Sequence, residues 1–338
     1  MAKGGEHHTD VAALMAQAKT AGYEVFVPVR SAGGWTFGYW EGGAADVSGC
    51  LLTALSAKAF VLPQLEKLLD YNAGEGGAVV PPAVKRALFS VRPCDARAIT
   101  LIDKIYAGGR GFHDTGYEAR RKNTILVVSA CENLAPTCFC GAVGGGPADP
   151  TGADIMLFHS GGRTVYEAVS PRGKAFLTEL KVNAGSADEV SAAKTAHGKV
   201  AASMKPPWDL NKVRATLYEN FGASVWDEVA AGCISCMACT FVCPSCHCFD
   251  VMDEGKQGRG TRCRFWDACT VPLFTLHASG HNPRDRKGQR YRQRVLHKFC
   301  YFHENWGENL CVGCGRCVVA CPVNVDIREA VARAAAAK

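Results

Sequence analysis

Apolar and polar residues follow two repeating patterns along the first 205 residues. Short apolar or alternating runs, typical of strands, recur at about 25–29, 35–40, 87–91, 124–129, 154–159 and 164–169. The last two runs flank Gly161-Gly162 and predict a hairpin. Apolar positions at helical spacing occupy 11–19 and 99–105, and Ser186 and Glu189 form a capping box that begins an Ala-rich helix. These patterns predict an N-terminal domain of mixed α/β (α+β) class.

Two of the predicted strands lead directly into cysteines. The strand at 87–91 is followed by Arg92, Pro93 and Cys94, and the strand at 124–129 runs into Cys131. Ligands bind open α/β sheets at the carboxyl ends of their strands. Cys94 and Cys131 are therefore candidate site residues of this domain.

The patterning changes beyond Pro206 and Pro207, which interrupt the chain. Regular strand patterns end there, cysteine, glycine and arginine dominate, and helices are predicted at 212–221 and from Asp326 onward. The expected organisation is an α/β domain at 1–205 and a mostly α-helical, ferredoxin-like dicluster domain at 206–338.

This second part of the chain contains one cysteine spacing twice. Each copy reads Cys-x-x-Cys-x-x-Cys-x-x-x-Cys-Pro, the bacterial ferredoxin run that binds 4Fe-4S clusters. The copies are Cys233, Cys236, Cys239 and Cys243, and Cys311, Cys314, Cys317 and Cys321. Three thiolates on a tight loop can occupy three corners of one cubane while the fourth cysteine points away.

In two-cluster ferredoxins the fourth cysteine of each run ligates the other cluster. The spacing therefore predicts one 4Fe-4S cluster on Cys233, Cys236, Cys239 and Cys321. It predicts a second on Cys311, Cys314, Cys317 and Cys243. Zinc also accepts four cysteines, but zinc motifs rarely supply three thiolates at successive spacings of three before a Cys-Pro, so the pattern favours iron and sulfide.

Composition agrees with a metal protein. The chain has 18 cysteines, no secretory signal and no apolar run near the roughly 18 residues of a membrane span, so we expect a soluble cytoplasmic protein whose cysteines bind metal or stay free. Its formal charge is +6. A 4Fe-4S core with four thiolates contributes about −2, so three clusters would neutralise the basic excess, which then needs no nucleic acid to explain it.

Ten cysteines lie outside the two runs. Cys138 and Cys140 follow Cys131 closely, but together with Cys94 they match no standard ferredoxin spacing, and spacing alone leaves a cluster, zinc or no metal open. The other six are expected to be small buried apolar side chains: Cys50, Cys246, Cys248, Cys263, Cys269 and Cys300. Cys246 and Cys248 follow a ligand so closely that they could lie beside a cluster.

Catalytic and nucleotide-binding patterns are missing from the sequence. The glycine-rich stretch 141–146 lacks the order of a dinucleotide fingerprint, no Walker sequence occurs, and no Ser-His-Asp, Cys-His or paired-carboxylate arrangement is recognisable. The basic run 284–294 is expected to compensate cluster or interface charge rather than to bind nucleic acid. We expect a chain that carries electrons without performing the chemistry, and no catalytic residue is assigned.

Several short stretches together resemble one family. They are Arg92-Pro-Cys-Asp95, residues 120–124 leading to Cys131, Cys138-Phe-Cys140, residues 243–250 and residues 278–282. The family is that of the 4Fe-4S dicluster beta subunits of cytoplasmic NAD(P)-linked nickel-iron hydrogenases, the sulfhydrogenases, to which the A-type component of anaerobic sulfite reductase also belongs. The resemblance covers about residues 85 to 325.

This resemblance implies a further cluster and particular partners. A third 4Fe-4S cluster is implied at Cys94, Cys131, Cys138 and Cys140. The chain would relay single electrons between a flavin-containing NAD(P)H-binding subunit and a nickel-iron hydrogenase module. Alternatives are the corresponding component of anaerobic sulfite reductase or the relay of a heterodisulfide-reductase-type flavin complex, and, more remotely, a zinc-stabilised scaffold.

Overall fold

The computed structural model describes residues 7–43, 50–72, 75–160 and 163–337. The chain folds into two compact units. The first unit comprises Met1–Leu62, Pro81–Pro136 and Gly145–Lys205, and the second comprises Pro63–Val80, Thr137–Gly144 and Pro206–Lys338. A single division at residue 205 does not place Pro63–Val80 and Thr137–Gly144 in the second unit.

The described residues form ten strands and twelve α-helices. The strands are β1 Glu24–Ser31, β2 Gly34–Tyr39, β3 Leu65–Asn72, β4 Glu75–Ala78, β5 Arg86–Val91, β6 Thr124–Ser129, β7 Ile155–Ser160, β8 Arg163–Ala168, β9 Phe249–Lys256 and β10 Arg259–Trp266. The helices are α1 His7–Thr20, α2 Pro93–Tyr106, α3 Thr115–Lys122, α4 Pro171–Glu179, α5 Ala187–Ala202, α6 Leu210–Glu219, α7 Val225–Val229, α8 Ala238–Phe241, α9 Lys287–Leu296, α10 Phe302–Trp306, α11 Arg316–Val319 and α12 Ile327–Ala336. Short 3-10 turns lie at Ala57–Phe60, Gly109–Gly111, Cys140–Val143 and Pro272–Thr275, and a π-helical turn at His297–Tyr301.

The first unit is built on a six-stranded sheet in the order β2-β1-β5-β6-β7-β8. Its central strands β1, β5, β6 and β7 are parallel, and β2 and β8 add antiparallel edges. The predicted hairpin of β7 and β8 is confirmed, while its turn at Gly161 and Gly162 lies outside the described residues. The capping box of Ser186 and Glu189 at the start of α5 is confirmed as well.

Helices cover both faces of this sheet because successive strand residues point to opposite sides. On one face, Phe89 and Val127 are buried with residues of α1 and α4. On the other face, Leu88 and Leu126 are buried with residues of α2 and α3. Both faces are apolar along β5 and β6, which explains their continuous hydrophobic runs. The N-terminal part of the chain is therefore α/β, as the sequence predicted.

The second unit combines short helices with a four-stranded antiparallel sheet in the order β4-β3-β10-β9. Strands β9 and β10 occupy a stretch for which the sequence showed no strand pattern, and the predicted mostly helical character of 206–338 is not confirmed. Every residue of β9 is exposed, so this strand lacks the alternation that marks a half-buried one.

A continuous helical rod forms the centre of the second unit. It runs from α9 through the π-helical turn at His297–Tyr301 into α10. Val295, Leu296 and Phe299 of the rod are buried together with residues of α6, α7 and α12. Among the described residues, no helix is long and apolar enough to cross a membrane.

Candidate metal centre

The two ferredoxin runs adopt the same loop conformation. Backbone φ is positive at Ser235 and Met237 in the first run and at Gly313 and Gly315 in the second, which are equivalent positions. A short helix follows each loop, α8 in one run and α11 in the other. The matched spacing in the sequence therefore corresponds to a matched backbone, although the first run adopts the left-handed turns without glycine.

The first cavity is bordered by the cysteines of one run and the last cysteine of the other. Its volume is about 450 Å³, and its lining includes Cys233, Cys236, Cys239 and Cys321. The Ser235 amide donates to Cys233 Sγ at 3.4 Å, and the Val325 amide donates to Cys321 Sγ at 3.1 Å. Four sulfur ligands with amide donors beside them form a suitable environment for an iron-sulfur cluster.

The second cavity shows the reciprocal arrangement. Its volume is about 300 Å³, and its lining includes Cys311, Cys314, Cys317 and Cys243. Burial raises the pKa of Cys311, opposed by Lys298 and by the Gly313 amide. The eight cysteines of the two runs thus border two cavities, Cys317 lines both, and the crossed ligation of two clusters stays a prediction.

The two cavities are immediate neighbours. Cys317, Arg294 and Ile327 line both of them. The first cavity reaches the surface, since Cys236 is exposed and the adjoining Ile234 is 62% exposed. The second lies deeper, because both Cys243 and Cys314 are buried.

Two buried cations lie at these cavities: Arg294 lines both of them, and Lys298 lines the second. Arg294 and Lys298 are each only 2% exposed. Arg294 donates to the Cys239 carbonyl oxygen at 2.9 Å and approaches Cys246 Sγ at 3.5 Å, while Lys298 Nζ donates to Cys243 Sγ at 3.1 Å. Buried charges of this kind need compensating charge close by.

The surrounding thiolates determine the protonation of these two groups. Burial alone would lower the pKa of Lys298, but the charge interactions with the Cys243 and Cys246 side chains outweigh burial, and the pKa is raised. The pKa of Arg294 is raised in the same way, with Cys239 the largest of the opposing thiolates. Both side chains are therefore cations directed at sulfur, which suits them to balance the negative charge of ligated clusters.

The basic run at 284–294 divides between interior and surface. Arg290 and Arg294 are buried, whereas Arg286 is exposed and pairs with Asp227 at 3.1 Å. Arg290 donates to the carbonyl oxygens of Thr270, Arg284 and Asp285. Within the run, Arg294 is the residue that faces both ferredoxin cavities.

The four remaining predicted ligands lie in two places, two in each unit. In the first unit, Cys94 lies in the first turn of α2 just after β5, and Cys131 follows β6, so the neighbouring parallel strands both end at a cysteine. The Cys131 amide donates to the Pro147 carbonyl oxygen at 2.7 Å. Cys50 also approaches this strand end, because Arg92 donates to its carbonyl oxygen.

In the second unit, Cys138 and Cys140 pack on the loop of the second ferredoxin run. The Phe139 amide donates to the Gly313 carbonyl oxygen at 2.8 Å, and Cys138 Sγ lies 3.9 Å from the Cys314 carbonyl oxygen. A Cβ atom at Gly313 would lie 2.5 Å from the Cys140 amide nitrogen. The close approach of the two segments therefore requires glycine at this position.

Three cysteines that were expected to be buried core side chains come together at a third cavity. Cys246, Cys248 and Cys269 line it, at a volume of about 240 Å³. The Cys-x-Cys spacing directly after Cys243-Pro was the available signal, but nothing in the sequence indicated that Cys269 would join it. Among the described residues, no three His, Cys, Asp or Glu side chains are placed to share a single metal ion, and this holds for the ferredoxin runs as well.

The two cysteine runs and the cavities that they border are those expected of an iron-sulfur protein. A family model described as a 4Fe-4S dicluster domain matches residues 232–325, the stretch that contains both runs. The chain is also 34% identical over 248 residues to sulfhydrogenase 2 subunit beta of Pyrococcus furiosus, which covers 72% of each chain. The protein belongs to the family of sulfhydrogenase beta subunits. No solved structure matches it.

Proposed function

We propose that this chain is the electron-transfer subunit of a multisubunit hydrogenase-type oxidoreductase, and that it relays single electrons between a flavin-containing NAD(P)H-binding subunit and a nickel-iron hydrogenase module. The observation that carries the proposal is the pair of adjoining cavities, each bordered by three cysteines of one run and the fourth cysteine of the other. An iron-sulfur subunit of a hydrogenase-type complex is what the family provides.

The crossed ligation is part of this proposal. One 4Fe-4S cluster would be held by Cys233, Cys236, Cys239 and Cys321. The other would be held by Cys311, Cys314, Cys317 and Cys243. Because Cys317 borders both cavities, a ligand of one cluster lies beside the other, and an electron could pass between them without a further carrier.

Exposure suggests where electrons enter or leave this pair. Cys236 is exposed and Ile234 projects beside it, so the first cluster would be the one that a redox partner can approach most closely. The second cluster, with buried Cys243 and Cys314, would exchange electrons mainly with its neighbours inside the protein.

A third cluster at Cys94, Cys131, Cys138 and Cys140 extends the proposed relay. Its support is the family resemblance. Cys94 and Cys131 follow neighbouring strands in the first unit, while Cys138 and Cys140 pack on the loop of the second run in the second unit.

The test is to isolate the complex through a tag on this chain under anaerobic conditions. Its metal content is then measured, and the reduction of its clusters by H₂ and by NAD(P)H is followed spectroscopically. We expect nickel in the complex and cluster reduction by both donors. A sirohaem subunit in place of nickel would assign the chain to a sulfite reductase, and clusters that neither donor reduces would contradict the relay.

A further inference from the structure

The third cavity is built from parts of the second unit that lie far apart in sequence. Cys246 and Cys248 follow the last cysteine of the first run, and Cys269 lies just beyond β10. Phe249 pairs with Trp266 at the base of the β9–β10 hairpin. The residues just outside this pair are therefore also opposite each other, and the Asp267 amide donates to the Cys248 carbonyl oxygen at 3.0 Å.

The hairpin therefore brings Cys269 to Cys248. Hydrogen bonding from the side chain and the amide of Cys269 lowers the pKa of the Cys248 thiol, against the effect of burial. Cys246 and Cys269 are buried, and Cys248 is half-buried. Three cysteine side chains thus converge on one cavity, although none of them belongs to the ferredoxin spacing.

The rest of the lining supplies positive charge and imidazole. Arg294 and Lys298, the buried cations of the ferredoxin cavities, line this cavity too. The π-helical turn that begins at His297 places His297 and Lys298 at the cavity, and π-turns occur frequently at functional sites. His247 contacts His297 edge to face with ring centroids 5.4 Å apart, and the Nδ1 atom of His247 lies 3.1 Å from the Ser245 carbonyl oxygen.

This hydrogen bond is the arrangement that orients a histidine for metal binding. An imidazole whose Nδ1–H donates to a backbone carbonyl presents a neutral Nε2 as a ligand. Thiolate together with imidazole is a donor set that iron-sulfur centres use. Since the described lining residues of the cavity contribute cations and no carboxylate, the cysteine sulfurs, once deprotonated by metal binding, are the groups there that can balance Arg294 and Lys298.

We propose that Cys246, Cys248 and Cys269 hold a further iron-sulfur cluster, with a histidine of the His247–His297 pair at its remaining position. A cluster is favoured over a single zinc ion because no three of these side chains are close enough to share one ion, a feature that they have in common with the ferredoxin runs.

The position gives this cluster a place in the electron path. Arg294 lines all three cavities, and Lys298 lines the second and third. The cluster would lie next to the one bound by Cys311, Cys314, Cys317 and Cys243. The deeper of the two ferredoxin-type clusters would then have a second neighbouring cluster within the same unit, whether or not the N-terminal cysteines bind metal.

The first test counts iron and acid-labile sulfide in the anaerobically purified full chain. A double variant, Cys248→Ala with Cys269→Ala, is expected to lose iron and acid-labile sulfide in equal numbers, about two to four of each per chain relative to the unaltered protein. The matched control is Cys300→Ala, because Cys300 is a buried cysteine of the same π-helical turn whose Sγ donates to the Arg214 carbonyl oxygen instead. This control should retain the full iron content.

Two results would overturn the proposal: iron and sulfide unchanged in the double variant, or about one zinc per chain that the double variant lacks. The electron paramagnetic resonance signals of the two ferredoxin-type clusters show whether the variant is still folded. Should it fail to fold, an anomalous difference map at the iron absorption edge of the unaltered protein decides the question. Density between the Sγ atoms of Cys246, Cys248 and Cys269 supports the cluster, and its absence refutes it.

Discussion

Replacing Lys298 by methionine removes one buried positive charge beside the second cavity. The Lys298 Nζ atom lies 3.1 Å from Cys243 Sγ, which is a proposed ligand of the deeper cluster. Methionine is similar in length and apolar, so it fills the space without leaving a buried polar group. The substitution therefore changes the charge at the cluster with little change in packing.

The expected shift follows from the distance. Reduction adds a negative charge to the cluster, and a nearby cation stabilises the reduced form. At an effective dielectric constant of about 20, a unit charge roughly 6 Å from the added electron contributes about 3 kcal/mol, which is roughly 120 mV for one electron. Lys298→Met should therefore lower the reduction potential of the deeper cluster by roughly 100 mV.

The assay is a potentiometric titration of the anaerobic protein, followed by electron paramagnetic resonance. Lys298 lines the second cavity and not the first, so the cluster of Cys236 should shift much less. The control is Lys256→Met, which removes the same charge from an exposed strand where water and salt screen it. Equal shifts of both clusters, or a shift no larger than that of the control, would refute the proposed role of Lys298.

Two further predictions concern stability, each measured as the urea midpoint of anaerobic protein. Gly313→Ala should lower the free energy of unfolding by roughly 1–3 kcal/mol, because φ is +65° at this residue and the new methyl group would collide with the Cys140 amide. The control is Gly280→Ala, which should lower it less, because Gly280 also has a positive φ but has open space around it. The second prediction concerns Asp326, which caps the start of α12 and hydrogen-bonds to the side chain and the amide of Arg328. Burial acts to raise the pKa of Asp326, but the hydrogen bonds from Arg328 outweigh burial and lower this pKa. The contribution of the Asp326 carboxylate to stability is therefore present above the carboxyl pKa of the unfolded chain, and it disappears as the pH falls through the lower pKa of the folded protein. Asp326→Ala should accordingly lower the free energy of unfolding by about 1 kcal/mol at pH 7 and by progressively less below about pH 4.

The parts of the fold that were predictable depend on local patterns. Buried parallel strands such as β5 and β6 appear as continuous apolar runs, and the Ser186 capping box marks the start of α5. The hairpin of β9 and β10 was missed, because β9 is exposed along its whole length and its side chains carry no alternating pattern. The grouping of Thr137–Gly144 with the second unit depends on contacts distant in sequence, which no local pattern records.

The candidate site divides in a similar way. Ligand spacing within one ferredoxin run is a local property, so Cys233, Cys236 and Cys239 could be grouped from sequence. The convergence of Cys269 with Cys246 and Cys248 depends on strand pairing. The positions of the buried cations depend on which side of α9 and of the following π-helical turn faces the cavities. These features become visible only when the chain is folded.

The central claim is that two 4Fe-4S clusters are held by interlocked runs, and Cys321→Ala tests it most directly. The resonance signal that this variant loses is compared with the signals lost in Cys236→Ala and in Cys314→Ala, which mark the first and second cluster. Crossed ligation predicts that Cys321→Ala affects the same cluster as Cys236→Ala. Loss of the cluster that Cys314→Ala affects would contradict the account.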